Sequence, residues 1–299
     1  MPRPALAFRN RPGGFFLSSV LAILSAVAYG SADFLGGLAS RRSSPMRVVA
    51  VSQLYGLTLI ALLLPVFPPD AFLVSDLLWG AAAGIAGGVG LVALYRGLSQ
   101  ARMGVVAPVA AGVGATMPGV FGLLSGERPS VVASVGVVVA LVAIFVIGWP
   151  AGPAGNESTP LRIRDRGIPE AIIAGIGFGA FFIFLSNASA GSGIWPLLGA
   201  RLGSLALLWL LLAALGGTVS LRAETNPLIL GAGLVDVTAN ALFLYATRSG
   251  LLTLVAVLSS LYPASTVLLA RVVLNERLSR LQIGGVALTL IGMALIAAG

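Results

Sequence analysis

The sequence predicts an all-α membrane protein of ten transmembrane helices, arranged as two inverted five-helix repeats around a central cavity. Composition, ten apolar segments and an internal duplication predict this fold. The chain has 299 residues, of which 58% are hydrophobic and only 9% are charged, whereas a soluble domain has about 25% charged residues. Too few polar side chains are present to cover a soluble core, so the composition indicates a polytopic membrane protein.

Ten apolar segments are long enough to cross a bilayer as helices, for which about 20 residues suffice. They cover residues 16–38, 47–67, 75–97, 103–124, 130–149, 168–188, 194–216, 227–247, 251–274 and 280–298. The longest polar interruption lies at residues 150–167 and is predicted to be a linker loop. The chain therefore divides into a first repeat at residues 1–149 and a second repeat at residues 168–299.

The two halves are related by an offset of 149 residues, which pairs Gly84 with Gly233, Glu127 with Glu276, Gly136 with Gly285, Leu141 with Leu290 and Tyr29 with Phe178. Tyr95 pairs with Tyr245 if one residue is inserted. Because five is odd, two direct sequence repeats must cross the membrane in opposite orientations. Inverted repeats of this kind build secondary transporters, whose binding site lies near the midplane between the halves.

The residue types that the sequence lacks exclude several kinds of site. It contains no cysteine, histidine or lysine, and all eighteen basic residues are arginine. Thiolate and histidine metal ligands, Ser-His triads and Schiff bases are therefore excluded, and no metal or cofactor is expected. The net charge of +8 is attributed to loop arginines that set topology and not to nucleic-acid binding. Most of these arginines follow odd-numbered spans, but the basic N-terminal tail favours the opposite orientation, which stays open.

Prolines interrupt the fourth and ninth spans. Pro263 removes the helical partner of the Ser259 carbonyl, which predicts a bend in the ninth span. In the first half, Pro118 is expected to free the Gly114 carbonyl in the same way. We therefore predict gating hinges at Gly114, Pro118 and Pro263, and a fixed kink that only shapes the helix is the alternative.

Polar and aromatic side chains inside the spans are the candidates for a substrate site. Asp236 lies near the middle of the eighth span, where a charged group is costly and normally faces the bundle interior or a water-filled cavity. Asn240 shares its helical face, and the alternative for this pair is a buried structural network with an arginine. The predicted substrate-binding residues are Tyr29, Asp33, Tyr95, Phe178, Phe182, Asp236, Asn240, Tyr245, Ser259 and Tyr262.

The other charged residues inside the spans allow fewer inferences. Arg201 and Arg271 lie close enough to helix ends to extend to the membrane interface, and binding of a substrate carboxylate is the alternative. Asp236 is the only midspan candidate for a proton carrier. We therefore expect weak or absent proton coupling.

A short motif closes the fourth span of each half and precedes a glycine-bearing last helix. The motif is Gly126-Glu127-Arg128-Pro129-Ser130 in the first half and Asn275-Glu276-Arg277-Leu278-Ser279 in the second. This arrangement resembles the EamA-type exporters of the drug/metabolite transporter superfamily, and among them the branch that exports aromatic amino acids and methyl viologen. The resemblance implies a multi-pass transporter of the bacterial inner membrane, not an enzyme. It also implies a monomer that exports amino acids or related small amphipathic metabolites by alternating access and binds no nucleic acid.

The same helices are compatible with three other functions, which are a passive channel or pore, a membrane-embedded enzyme and a structural scaffold. A pore is expected to show a ring of charges or a selectivity filter, and the sequence shows neither. An enzyme would need a paired catalytic motif, which the order of residues does not supply. A scaffold would not need a midspan acid such as Asp236 or duplicated kinks.

Overall fold

The computed structural model describes residues 12–100, 103–148, 167–216, 226–274 and 279–299. These residues form α1 (Pro12–Ser40), α2 (Pro45–Leu63), α3 (Val74–Gln100), α4 (Met103–Leu124), α5 (Val131–Gly148), α6 (Ile168–Ser186), α7 (Trp195–Ala214), α8 (Pro227–Ser249), α9 (Leu252–Ser259), α10 (Tyr262–Val273) and α11 (Arg280–Ala298). The predicted linker, apart from Gly167, and the motif residues Asn275, Glu276, Arg277 and Leu278 lie outside the described residues.

These helices make ten membrane spans, as predicted. Nine segments of the described chain are long and apolar enough to cross a membrane, and α5 supplies a shorter tenth. The ninth of these ten spans, Leu252–Val273, is interrupted between α9 and α10. Large apolar side chains such as Phe145, Leu210 and Leu290 are about two-thirds exposed on the outer surface of the bundle. An apolar surface of this extent suits lipid and not water. The all-helical fold is therefore confirmed as that of a multi-pass membrane protein.

Reciprocal glycine contacts show that the two halves are related by a pseudo-two-fold axis. A Cβ at Gly136 in α5 would lie 2.8 Å from Cγ1 of Ile296 in α11, and a Cβ at Gly285 in α11 would lie 2.6 Å from Cγ1 of Ile147 in α5. The residues of one contact are each 149 positions from their counterparts in the other. Contacts that repeat with their partners exchanged are characteristic of a two-fold axis, so the inverted repeat is confirmed.

Each half packs its helices against those of the other half. The first helix of each repeat lies against the third of the other, so that α1 contacts α8 and α6 contacts α3. In the same way, α4 contacts α6, while α9 and α10 contact α1. The central space is therefore enclosed by both repeats and is complete in neither alone.

Glycines allow a close approach of the two halves between α3 and α7. A Cβ at Gly80 in α3 would lie 2.0 Å from the carbonyl oxygen of Pro196, and a Cβ at Gly203 in α7 would lie 2.4 Å from that of Ala81. At these distances one backbone touches the other directly, and no side chain fits between them. Small residues serve this purpose in membrane helix pairs generally.

The ninth span is broken where the sequence predicted a bend. α9 ends at Ser259 and α10 begins at Tyr262. In the intervening turn, the amide of Ser260 donates to the carbonyl of Ala256 at 2.9 Å and the amide of Leu261 to that of Leu258 at 3.2 Å. Pro263 lies in the first turn of α10, where the amide that proline lacks has no helical partner as long as α9 and α10 stay separate.

The fourth span differs from the ninth, because α4 is one continuous helix with Pro108 and Pro118 inside it. The hydroxyl of Thr116 donates to the carbonyl of Gly112 at 2.7 Å, one turn before Pro118. A Cβ at Gly114 would lie 3.5 Å from Cβ of Phe178, so Gly114 lies against α6. The two proline positions of the repeat therefore have different local structures.

Glu127 gives the first copy of the motif a structural role. Its carboxylate accepts hydrogen bonds from the backbone amides of Leu252, at 2.9 Å, and Thr253, at 2.8 Å. These amides open α9, and the first amides of a helix have no partner within it. A negative charge at this end also interacts favourably with the helix dipole. The glutamate that follows α4 therefore caps the start of the ninth span in the other half.

We predict that Gly80→Ala lowers the thermal stability of the protein in detergent. The added methyl group would lie 2.0 Å from the Pro196 carbonyl, so α3 and α7 must separate, at a cost of about 1–3 kcal/mol. Gly284→Ala is the matched control, because a Cβ there meets nothing within 4 Å. Equal melting temperatures for both variants would show that the α3–α7 contact does not limit stability.

Candidate functional site

A cavity lies between the two halves in the middle of the bundle. Its empty space, including the open mouth, is about 570 Å³. Seven helices supply its walls, namely α1, α2, α3, α6, α7, α8 and α10. The lining residues are Tyr29, Asp33, Gln53, Gly84, Gly87, Gly88, Leu91, Phe178, Phe181, Phe182, Ala200, Arg201, Ser204, Asp236, Asn240 and Tyr262.

A hydrogen-bonded network of charged and polar side chains forms one wall. Nη2 of Arg201 donates to Oδ2 of Asp236 at 2.7 Å, and Nη1 of Arg201 donates to Oε1 of Gln53. Nδ2 of Asn240 donates to Oδ2 of Asp236 at 3.0 Å. The hydroxyl of Tyr29 in turn donates to Oδ1 of Asn240 at 2.6 Å. The network therefore joins α1 and α2 of the first half to α7 and α8 of the second.

Asp236 is ion-paired and not free to face a ligand alone. Its side chain is 14% exposed and that of Arg201 is 5% exposed. Breaking such a pair on one side would leave an uncompensated buried charge. This arrangement is the structural network that the sequence left as the alternative for Asp236 and Asn240, and it corrects the expectation that Arg201 extends to the interface. Arg201 stays inside because Gln53 and Asp236 bind it there.

The second acid of the cavity has a different environment. Asp33 of α1 is 5% exposed and lines the cavity. Among the described residues it has no hydrogen bond and no ion pair, and Asp236 is the charged group that acts on it electrostatically. The cavity therefore contains one acid with a counter-ion and one acid without.

Aromatic rings form a second part of the cavity wall. The ring of Phe182 stacks on Phe243 with centroids 4.3 Å apart and an interplanar angle of 25°. It also meets Phe181 edge-on at 5.8 Å and Tyr29 at 6.1 Å. Phe178 lies one turn before Phe182 in α6 and lines the same space. An apolar body with one or two polar groups would fit between the rings and the network.

Seven of the ten predicted substrate-binding residues line this cavity, namely Tyr29, Asp33, Phe178, Phe182, Asp236, Asn240 and Tyr262. The other three, Tyr95, Tyr245 and Ser259, lie elsewhere. A Cβ at Gly36 would lie 2.0 Å from Cζ of Tyr95, so the Tyr95 ring fills the slot beside this glycine. The Tyr245 ring lies under the guanidinium of Arg248 at 4.9 Å, and the buried hydroxyl of Ser259 donates to the carbonyl of Ala22 at 3.4 Å.

Sequence reasoning missed Gln53, Phe181 and Ser204 as lining residues, and it placed Arg201 at the interface. The carboxylate of Asp236 could have predicted a buried arginine as its partner, because an acid inside the membrane requires a counter-charge. Arg201 belongs to the span directly before Asp236 and was a candidate for that partner. Gln53 and Ser204 carried no such signal, since uncharged polar residues in apolar helices also occur without functional roles.

Comparison with known proteins assigns the chain to a family. A model described as the EamA-like transporter family matches residues 17–149 and again residues 165–298. The chain belongs to this family. A solved structure, described only as the crystal structure of a protein, is 20% identical, covers 93% of this chain and 96% of its own, and superposes with a TM-score of 0.67. At that identity it shows a shared fold alone, and no curated protein matches the chain.

Because the family model matches the chain twice, this protein is an EamA-like membrane transporter with two repeats. The resemblance seen in the motifs is therefore confirmed at the level of the family. The position of the cavity between the EamA repeats is where an inverted-repeat transporter is expected to bind its substrate. The substrate and the transport cycle are treated below.

We predict that Arg201→Met destabilises this EamA-like transporter and that adding Asp236→Leu recovers much of the loss. The single variant leaves Asp236 buried without its counter-ion, at a cost of about 3–5 kcal/mol. The double variant removes both charges, and an apolar pair of similar volume is often no less stable than a buried ion pair. Melting temperatures in detergent would measure this. A double variant as unstable as Arg201→Met would mean that Arg201 stabilises through contacts other than Asp236.

Proposed function

We propose that this EamA-like transporter exports amino acids or related small amphipathic metabolites by alternating access, as a secondary transporter of the bacterial inner membrane. The proposed functional unit is the monomer, because the two repeats that form an inverted-repeat site are both present in one chain. The substrate class is argued from the cavity walls, and the transport cycle is argued from the broken ninth span.

The two unlike walls of the cavity carry the proposal for the substrate. One wall presents the rings of Phe178, Phe181 and Phe182, and the other presents the network around Arg201 and Asp236. Small-molecule sites combine an apolar lining with few polar groups that fix orientation. A substrate with an apolar or aromatic body and a polar head would satisfy both walls.

The position of the helix break supports alternating access. Tyr262 is the first residue of α10 and also lines the cavity. A change of angle between α9 and α10 would therefore move part of the cavity wall. Broken helices beside a midplane site are a recurring device of secondary transporters, and movement at such a break is a hinge-type transition.

Transport by purified protein in liposomes tests the proposal directly. We expect uptake of labelled phenylalanine, or of the amine and amide compounds that share its benzyl group, to saturate with concentration. We also expect it to accelerate when unlabelled compound is present on the opposite side, because a carrier must return with or without its load. Uptake that rises linearly and ignores the opposite side would instead indicate a passive pore.

We predict that Phe182→Ala reduces transport of aromatic substrates more than that of small aliphatic ones. The variant removes the ring that stacks on Phe243 and faces the cavity, so an aromatic body loses about 0.5–1.5 kcal/mol of ring contact. Phe184→Ala is the matched control in the same helix, because Phe184 stacks on Trp79 outside the cavity lining. The assignment of the aromatic wall fails if both variants change the preference equally.

We predict that Pro263→Ala slows transport while binding persists. Alanine supplies an amide that can donate to the Ser259 carbonyl, which would join α9 and α10 and stiffen the break. Pro227→Ala is the control, because Pro227 occupies the first turn of α8 at an unbroken helix start. Because the chain has no cysteine, single cysteines near either end of the cavity can report accessibility by labelling. Unchanged transport and unchanged labelling would reduce Pro263 to a fixed structural feature.

A further inference from the structure

The charges that line the cavity do not balance. Its lining contains two carboxylates, Asp33 and Asp236, and one guanidinium, that of Arg201. Arg201 and Asp236 neutralise each other through their ion pair at 2.7 Å. Within the described chain, Asp33 is left with no hydrogen bond and no counter-ion, although it is only 5% exposed.

Three tyrosine hydroxyls that interact electrostatically with Asp33 donate to other groups. The hydroxyl of Tyr29 donates to Asn240 at 2.6 Å, that of Tyr95 to the Ala32 carbonyl at 3.4 Å and that of Tyr262 to the Ala107 carbonyl at 3.5 Å. No rotation of these groups toward Asp33 is possible without breaking those bonds. A buried carboxylate without a donor or a cation carries a large desolvation cost. A substrate ammonium that entered the cavity would supply both the missing donor and the missing counter-charge.

Arg201 is not available to bind an anion in the same cavity. Its Nη2 and Nη1 atoms donate to Asp236 and Gln53. Its Nε has no hydrogen-bond partner among the described residues, but a Cβ at Gly56 would lie only 3.2 Å from it, so the α2 backbone covers this atom. A ligand carboxylate would thus displace an existing bond of Arg201 and would also face the two acids.

We propose that Asp33 binds the protonated amine of the substrate, and that the cavity therefore selects organic monocations with an apolar or aromatic body over zwitterions and anions. The proposal rests on the proposed function and narrows its substrate class, amino acids or related small amphipathic metabolites, to amines without a free carboxylate. The aromatic side chains Tyr29, Phe182 and Tyr262, which line the same cavity, favour a cation further, because ring faces attract positive charge.

Four compounds with the same aromatic body test the charge preference. They are 2-phenylethylamine, a cation; 3-phenylpropanamide, which is neutral; phenylalanine, a zwitterion; and 3-phenylpropionate, an anion. Binding of each is measured on the full chain in lipid nanodiscs at one pH and one salt concentration. We expect the amine to bind at least about tenfold more tightly than the neutral amide, as for a buried charge pair. We expect neither phenylalanine nor the anion to exceed the amide.

Asp33→Asn is the decisive variant, because it keeps the shape of the side chain and removes only the charge. We expect it to abolish the preference for the amine and to leave binding of the neutral amide unchanged. Its melting temperature checks the fold, and no loss is expected because Asp33 has no bond to break. Asp70→Asn is the matched control, since Asp70 is an exposed acid outside the cavity lining, and it should keep the preference.

The outcomes separate this proposal from the proposed function. The assignment of Asp33 is wrong if the neutral amide binds but the amine does not bind more tightly. It is also wrong if Asp33→Asn still binds the amine more tightly than the amide. In both cases the cavity remains the binding site. If none of the four compounds binds, the cavity itself is not a site for small amphipathic molecules. If Asp33→Asn leaves amine binding intact but abolishes uptake driven by a pH gradient, Asp33 carries a proton and not the amine, which overturns the proposal.

Discussion

The buried ion pair between Arg201 and Asp236 determines what the cavity can offer a ligand. In a membrane bundle neither charge is stable without the other, so the pair fixes the positions of α7 and α8 at mid-depth. Gln53 and Asn240 extend it to both sides, and Tyr29 connects it to α1. Because these groups form hydrogen bonds with each other, the network offers few unpaired hydrogen-bonding groups to a ligand. Asp33 lines the same cavity but does not belong to the network.

The cavity shows that an inverted repeat preserves helices more strictly than side chains. At the offset of 149 residues, four polar lining residues have counterparts that also line the cavity, with Tyr29 paired to Phe178, Asp33 to Phe182, Asp236 to Gly87 and Asn240 to Leu91. In every pair one member is polar and the other apolar. The pseudo-two-fold axis therefore relates the polar wall to the aromatic and small-residue wall. The duplicated helices enclose the cavity symmetrically, whereas different side chains at equivalent positions make its two sides chemically different.

The fold was predictable from the sequence because its signals are redundant. Each span is a long apolar segment, and the duplication recurs at Gly136 and Gly285, which the structure places in reciprocal contacts. The site was predictable only in part. Midspan acids were recognisable as interior groups, but Tyr95 fills the slot at Gly36 instead of facing the cavity. In a membrane helix the lipid-facing and core-facing sides are both apolar, so periodicity does not show which way an aromatic ring points.

The part of the site that the sequence did not predict depends on contacts between residues that are distant in the chain. The Gln53 partner of Arg201 lies 148 residues away in the chain. The capping of α9 by Glu127 spans 125 residues. Neither partner can be deduced from local pattern, because each contact depends on how the two repeats are placed against each other. The sequence repeat predicts that placement in outline, whereas the pairing of individual side chains requires coordinates.

The ninth span is hydrogen-bonded to both α4 and α1, and this connects the motif to the cavity. At its start, α9 is capped by Glu127, and Thr253 donates to the Gly119 carbonyl of α4 at 3.2 Å. After the break, the hydroxyl of Ser265 donates to the Ala26 carbonyl of α1 at 3.2 Å, and that of Thr266 donates to the Gly30 carbonyl of α1 at 3.1 Å. These hydroxyls satisfy carbonyls within a bundle that lipid surrounds.

The span is therefore bonded to α4 at its start and to α1 on both sides of the break, through Ser259 before it and Ser265 and Thr266 after it. A displacement of α1 relative to α4 would act on this span, in which the turn at Ser260 and Leu261 joins the two segments. Tyr262 comes directly after this turn and lines the cavity, so the displacement would reach the cavity wall within one residue. Asp33 lies in α1, three residues after the Gly30 carbonyl that Thr266 binds. A movement of α1 would thus carry the unpaired carboxylate and the start of α10 together, and it would change both in a single step.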